Sequence, residues 1–181
     1  VLEALDDARL QVDKVILAEG LRGEPVRAIL DAARSRGVRV ERASAHRVKV
    51  LAGNGRHDQG VLADVVAPRM EPVGEFLSRV GDGPARVLVL DRLTNPANVG
   101  MVLRSATAAG LDGVLLPRRG APAIDPLVVK ASAGVAFRAP VLRAATAEDG
   151  CAALRDGGFT VLGLDAAGES LLEAELPRRV A

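Results

Sequence analysis

The sequence predicts a two-part α/β protein, and three observations carry that prediction. Strand-like apolar runs alternate with helical patterns along the 181 residues, a proline- and glycine-rich stretch interrupts them at residues 69–84, and a second, longer alternation follows. Strands separated by helices in this way imply parallel pairing through right-handed crossovers. The expected organisation is a small unit over residues 1–68, a connector over 69–84 and a doubly wound parallel sheet over 85–181.

In the first unit, Leu2, Leu5 and Ala8 recur at helical spacing, and VDKVILAEG reads as a strand ending at Gly20. Pro25 suits a first helical turn, and the helix VRAILDAARSRG stops at Gly37, where glycine commonly follows a helix. VRVERA is a short strand, Ser44 is placed to cap the helix SAHRVKVLAG, and VLADVVAP closes the unit as a strand. The connector holds one short amphipathic helix. Beyond it come strand RVLVLD, a helix running to Gly110, and strand DGVLLP. A helix capped by Asp125 with Pro126 first inside follows, then strand APVLRA, helix TAEDGCAALRDGG, strand FTVLGLD and short helix SLLEAEL.

Composition excludes several classes. No run of 18 or more apolar residues and no charged-apolar-small leader occurs, so neither a membrane span nor secretion is expected and a cytoplasmic location is the default. The single Cys151 has no partner for a disulfide and no neighbours at metal-ligand spacing, so it reads as helix-face packing and no metal site is expected. Net charge is +1, but residues 34–57 carry seven Lys/Arg against one acid, with His46 and His57 besides. Clustered cations are the footprint of phosphate-backbone binding. With only three Phe and no Trp or Tyr, base-stacking platforms are not expected, which leaves backbone and shape contacts.

In an open parallel sheet, ligands bind beyond the carboxyl ends of strands. Three loops lie there in the second part: LTNPANVG after Leu90, PRRGAP after Leu116 and DAAGE after Leu164. The first contains neither GxGxxG nor GxxxxGK[ST], which removes dinucleotide and P-loop readings. Asn98 sits where an N-cap is expected, Gly100 leaves room for close approach, and Arg104 falls off the apolar stripe of Val99, Val102, Leu103, Ala106 and Ala109. From the residues alone, this stretch is a capped helix with an exposed arginine.

The run NPANVGMVLRSA, preceded by Asp91 and followed by KASAG at Lys130–Gly134, resembles the first signature of the SpoU/TrmH group of SPOUT RNA ribose methyltransferases. The likeness extends over nearly the whole chain. Residues 1–68 are similar to the ribosomal-protein-like α/β/α substrate-binding domain that many members carry, including those of the RlmB type acting on large-subunit ribosomal RNA. Their His-Gln-Gly loop corresponds here to RHDQGV, with Asp58 interposed.

The resemblance implies methyl transfer from S-adenosylmethionine to a ribose 2′-hydroxyl of structured RNA, ribosomal in preference to transfer RNA. It also implies a trefoil-knot fold and a homodimer with each site at the subunit interface. It matches Arg104 to the catalytic arginine, Asn98 to the signature asparagine, and Leu164, Asp165 and Ala166 to part of the cofactor loop. Arg42, Arg47, Arg56, His57 and Gln59, with Arg118 near the active site, are the expected RNA contacts. The family's remaining cofactor segments would follow RRVA, so this chain is expected to be C-terminally incomplete and a weak cofactor binder. A non-catalytic RNA-binding relative of the same fold is the alternative, and a small-molecule α/β enzyme is the third reading.

Overall fold

A computed structural model of the chain describes residues 1–8, 10–52, 59–67, 69–171 and 173–181. The chain divides into two compact units, Val1–Ala67 and Pro68–Ala181.

The first unit comprises α1 (Leu2–Asp6), β1 (Gln11–Ala18), α2 (Glu24–Ser35), β2 (Arg39–Ala43), α3 (Ala45–Leu51) and β3 (Val61–Val66). Its sheet has the order β2-β1-β3, with β2 parallel and β3 antiparallel to β1. The crossover through α2 makes the first pairing parallel. Val26, Ile29 and Ala33 of α2 bury against Leu5 of α1 and Val12, Val15 and Leu17 of β1. Ser44 caps α3, its side chain accepting from the Arg47 amide at 3.3 Å.

The first helix is shorter than the apolar spacing predicts, ending at Asp6. The Arg36 guanidinium donates to the carbonyls of Ala4, Leu5, Asp7 and Leu10 at 2.6–3.1 Å. A helix end leaves carbonyl groups without intrahelical donors, and here a side chain thirty residues away along the sequence satisfies them.

The second unit comprises β4 (Glu71–Pro72), α4 (Val73–Val80), β5 (Ala85–Val89), α5 (Pro96–Ala108), β6 (Gly113–Leu115), α6 (Pro126–Ala131), a 3-10 turn (Val135–Phe137), β7 (Val141–Arg143), α7 (Ala147–Asp156) and β8 (Arg179–Val180). Its sheet, β4-β7-β6-β5-β8, is parallel at every pairing. Successive residues supply opposite cores. Leu90, Val114, Leu116 and Val141 pack under α5, α6 and the 3-10 turn, whereas Val87, Leu115 and Leu142 pack under α4 and α7. The sheet is therefore doubly wound, as the alternation predicts. The amphipathic helix within residues 69–84 is α4, and its fully buried Phe76 lies in the second core against Phe159, with ring centroids 6.1 Å apart.

Two expected elements differ. The strand predicted over FTVLGLD pairs only at Thr160–Leu162, which exchanges hydrogen bonds with Arg179 and Ala181 of the β8 segment. Gly163–Asp165 carry no strand assignment. The predicted helix SLLEAEL is absent among its described residues; Glu173 and Ala174 donate to the Ser170 carbonyl in an isolated turn. Leu171 and Leu176 remain exposed, and a short helix without a buried apolar face has little to stabilise it.

Phe76→Ala removes the largest fully buried side chain of the second core. It is expected to destabilise that unit by about 3–5 kcal/mol, measured as a lowered urea midpoint for its unfolding.

Candidate functional site

In the second unit, strands progress from β5 through β6 to β7 in one direction, and then the chain crosses to the opposite side of β5, where Thr160–Leu162 and β8 lie. The direction of winding reverses at β5. Ligands of open α/β sheets bind at the carboxyl edge of such a reversal. The Asp91–Asn95 loop follows β5 at this edge, and the Leu164–Ala166 segment follows Thr160–Leu162 at the same edge. The Arg118 loop, after β6, is the neighbouring one.

The β5 loop is locally constrained. Arg92 has φ +51°, a left-handed conformation that costs a non-glycine residue free energy and tends to be retained at functional sites. Asn95, rather than Asn98, caps α5: its side chain accepts from the Ala97 amide at 2.9 Å, with Pro96 first inside the helix. The proline explains the difference, since its fixed φ and missing N–H suit the first helical position. Asn98 is thus free of capping duty, exposed in the first turn.

Arg104 is exposed one to two turns further on and has no hydrogen-bond or ion-pair partner among the described residues. Six residues separate it from Asn98, about 9 Å along the axis at 1.5 Å per residue. The two share the solvent side of α5 with Met101, which is 54% exposed, between them. They are not a contacting pair; they are two stations along one helix. Met101 also lines a shallow apolar groove with Leu88, Val102, Ser105 and Ala109.

The inner side of α5 is held by the second signature segment. Gly100 is buried, and a Cβ there would lie 2.6 Å from the Ala131 Cβ, 2.6 Å from the Val128 carbonyl oxygen and 2.9 Å from the Ser132 amide. Only glycine permits this approach of α5 to α6. Asp125 caps α6 through the amides of Leu127 and Val128, both at 2.9 Å. At its other end, fully buried Ser132 donates to the Val129 carbonyl at 2.9 Å and accepts from the Ala136 amide at 3.1 Å. Ala133 and Gly134 then turn the chain with φ +51° and +78°. Gly100 and Ser132 are packing and turning residues that set where Arg104 stands. The close approach expected at Gly100 is made by the backbone of α6; the turning role of Ser132 is not read from its segment.

The remaining expected residues are distributed. Leu164 is 74% exposed, Asp165 and Ala166 are also exposed, and the Asp165 carboxylate accepts from the Ala167 amide at 2.8 Å. This loop offers at most one wall to a cofactor; the described residues around it do not enclose one. In the first unit, Arg42 donates to the Ala18 and Leu21 carbonyls at 3.3 Å each, so its guanidinium is partly committed to a turn. Arg34 pairs with Asp31 at 3.1 Å and Arg39 with Glu41 at 2.7 Å. Arg47, Lys49 and His46 lie exposed on α3, and Gln59 is exposed. Arg56 and His57 lie outside the described residues.

Burial raises the Cys151 thiol above its ordinary pKa, which makes it a poor nucleophile at neutral pH and agrees with a packing role. Among the described residues, no helix is long and apolar enough to cross a membrane.

Comparison with known proteins identifies the class. Residues 85–181 match the SpoU rRNA Methylase family, and residues 1–71 match the RNA 2′-O ribose methyltransferase substrate binding family. The chain belongs to the SpoU rRNA methylase family. A TrmH-family protein of Staphylococcus aureus, described as a tRNA/rRNA methyltransferase, is 32% identical over 157 residues, covering 86% of this chain and 62% of that relative. The AdoMet-bound rRNA methyltransferase of Sinorhizobium meliloti has the same fold, with a TM-score of 0.63 at 21% identity over 99% of this chain and 65% of that one. A TrmH-family RNA methyltransferase structure from Porphyromonas gingivalis aligns with a TM-score of 0.60 at 23% identity, over 97% of this chain and 64% of that one. The chain thus spans somewhat less than two thirds of these relatives' length.

Two glycines separate the packing argument from helix propensity. Gly100→Ala is expected to destabilise the second unit by about 1–3 kcal/mol through overpacking. Gly74→Ala in α4, where an added Cβ meets nothing within 4 Å, should instead stabilise it by about 0.5 kcal/mol. Paired chemical-denaturation curves of the two variants measure both signs.

Proposed function

We propose that this chain serves S-adenosylmethionine-dependent methylation of a ribose 2′-hydroxyl in structured RNA, ribosomal RNA in preference to transfer RNA. One observation carries the reading. An exposed, unpaired Arg104 stands on the helix that begins where the parallel sheet reverses its winding, and it is held there by the Gly100 contact with α6. Membership of the SpoU rRNA methylase family and the substrate-binding match of residues 1–71 support it. The AdoMet-bound relative supports the same cofactor here. Leu164, Asp165 and Ala166 are proposed as one side of its site. Because they do not enclose it, no step of the reaction is derived through the cofactor. A homodimer and a cytoplasmic location belong to the same reading and rest on the resemblance.

A ribose hydroxyl is a weak nucleophile that must be positioned and whose developing negative charge must be stabilised. Arginine, with a pKa of about 12.5–13.8, stays charged at neutral pH and is a poor base. Arg104 therefore acts as an orienting and charge-stabilising group, gripping the phosphate beside the reacting ribose or the hydroxyl oxygen itself. Its planar fork suits bidentate contact in a way an ammonium does not. Asn98, about 9 Å away along the axis, holds a different part of the nucleotide, and its amide both donates and accepts.

For the RNA backbone, the proposed contacts are Arg42, Arg47, Arg56, His57 and Gln59 in the first unit and Arg118 in the second. Lys49 joins them, since it stands exposed beside Arg47 on α3. Arg36 belongs to the fold instead, while Arg34 and Arg39 sit in exposed ion pairs with Asp31 and Glu41.

Labelled methyl transfer tests the activity. Incubated with labelled S-adenosylmethionine, the protein should modify ribosomal RNA at a mapped 2′-O position, with transfer RNA a poorer substrate. Arg104→Lys should lose at least roughly 100-fold of the rate; full turnover by that variant would remove Arg104 from the site. RNA binding with no transfer under any condition favours the non-catalytic relative.

Salt titration tests the backbone contacts. Arg47→Gln should weaken RNA binding and lower the slope of log affinity against log salt by roughly 0.7–0.9. Arg36→Gln should leave that slope unchanged and lower the unfolding midpoint of the first unit, because its partners are carbonyls of its own chain.

A further inference from the structure

Two half-buried arginines of this protein are spent largely on backbone oxygens. Arg36 holds four carbonyls, and Arg179 donates to the carbonyls of Gly81, Gly83 and Gly157 while stacking 4.5 Å from the Phe159 ring centroid. Arg143, the last residue of β7, is half-buried and has no hydrogen-bond or ion-pair partner among the described residues.

The ladder explains where it points. Leu115 pairs with Leu142, and the hydrogen bonds continue past both strand ends, from the Leu116 amide to the Leu142 carbonyl at 2.9 Å and from the Arg118 amide to the Ala144 carbonyl at 3.0 Å. Val141 and Leu116 lie in the core under α5, while Leu142 and Leu115 lie in the opposite one. By alternation Arg143 shares the face of Val141 and Leu116, and Arg118 stands two residues beyond Leu116 on that same side. The two guanidinium-bearing residues are diagonal neighbours across one ladder.

Glu71, opposite Leu142 on the other side, is bound to Arg79 at 2.6 Å, and no described carboxylate forms an ion pair with Arg143. Burial pushes the Arg143 guanidinium below its ordinary pKa, and the charge of Arg118 lowers it further. Two like charges held together with one of them partly desolvated are unfavourable in the free protein. An anion with several acceptor oxygens reverses that sign.

We infer that Arg143 and Arg118 form a phosphodiester-binding pair at the carboxyl edge of β6 and β7, gripping the RNA backbone beside the Arg104 site. The inference rests on the RNA reading above and adds a residue, Arg143, that the resemblance does not supply. Phosphate suits the pair because each planar fork can contact two of its oxygens. Strands lie about 4.7–4.9 Å apart, so the pair stands one to two strand spacings from the carboxyl end of β5.

The test uses the 181-residue chain with ribosomal RNA as one probe and inorganic phosphate as the other. Arg143→Gln and Arg118→Gln should each weaken RNA affinity about three- to tenfold and each reduce the salt slope by roughly 0.7–0.9. The double variant should weaken it little further, because one phosphate is shared. Without RNA, Arg143→Gln should melt no lower than the parent, and added phosphate should raise the parent's melting midpoint more than the variant's. Arg143→Lys should keep the salt slope and lose part of the affinity. If the parent binds ribosomal RNA while Arg118→Gln and Arg143→Gln bind it with unchanged affinity and slope, this inference fails and the RNA reading stands. If the parent binds no RNA, both fail. A lowered midpoint in Arg143→Gln together with unchanged RNA binding by Arg118→Gln overturns the pair as well and makes Arg143 structural.

Discussion

The second unit depends on the contact between α5 and α6 at Gly100. At the point where a side chain would stand, the Ala131 Cβ and the Val128 carbonyl fill the space, and Ser132 closes the far end of α6 from inside. Helix α5 carries Asn98 and Arg104 on its solvent side and Val99, Leu103 and Ala106 on its core side. Its depth and rotation over the sheet are therefore set from beneath by a glycine, and the exposed residues inherit their positions from that packing. The two signature segments, about thirty residues apart in sequence, are one structural object. This gives a physical reason for their occurring together: a larger residue in either segment pushes on the other.

Arginine is used in this chain in two opposed ways. Arg36 and Arg179 are internal fasteners whose donors are consumed by backbone carbonyls, and Arg42 is partly so. Arg104, Arg118, Arg47 and Arg143 keep their donors free among the described residues. Charge counted along the sequence treats these groups alike. The seven cations of residues 34–57 look like one basic surface, yet Arg36 and, in part, Arg42 are bonded to carbonyls of their own unit, and Arg34 and Arg39 sit in exposed ion pairs. What remains for an external anion is smaller and centred on α3.

The alternation of apolar runs and breakers made the two-unit layout and the parallel sheet legible, because burial on a sheet and a helix stripe leave different periods in the sequence. The caps at Ser44 and Asp125 were legible for the same local reason. Asn95 was not, because Asn98 has the same chemistry, and the choice between them is made by the fixed φ of Pro96. The true extent of FTVLGLD and SLLEAEL was also hidden. Whether an apolar run forms a strand or helix depends on a neighbour to pair with, and that neighbour is specified elsewhere in the chain. Arg104 enters as a candidate through the resemblance. Arg143 does not, since an arginine ending an apolar strand looks ordinary until the ladder sets Arg118 diagonal to it.

The position of β8 has a consequence for how the second unit assembles. This strand lies between β5 and the earlier segment Thr160–Leu162, so both of these neighbours precede it in the chain, and the described residues between Leu162 and Arg179 form no strand. Its Arg179 finds its oxygens at Gly81 and Gly83 after α4 and at Gly157 after α7, with Phe159 beneath. None of those partners is in place until both helices have docked, and closing the intervening loop costs entropy that only the finished slot returns. Arg179 therefore ties β8 to the ends of α4 and α7 at once, so loosening either helix end strips the strand of side-chain bonds that hold it.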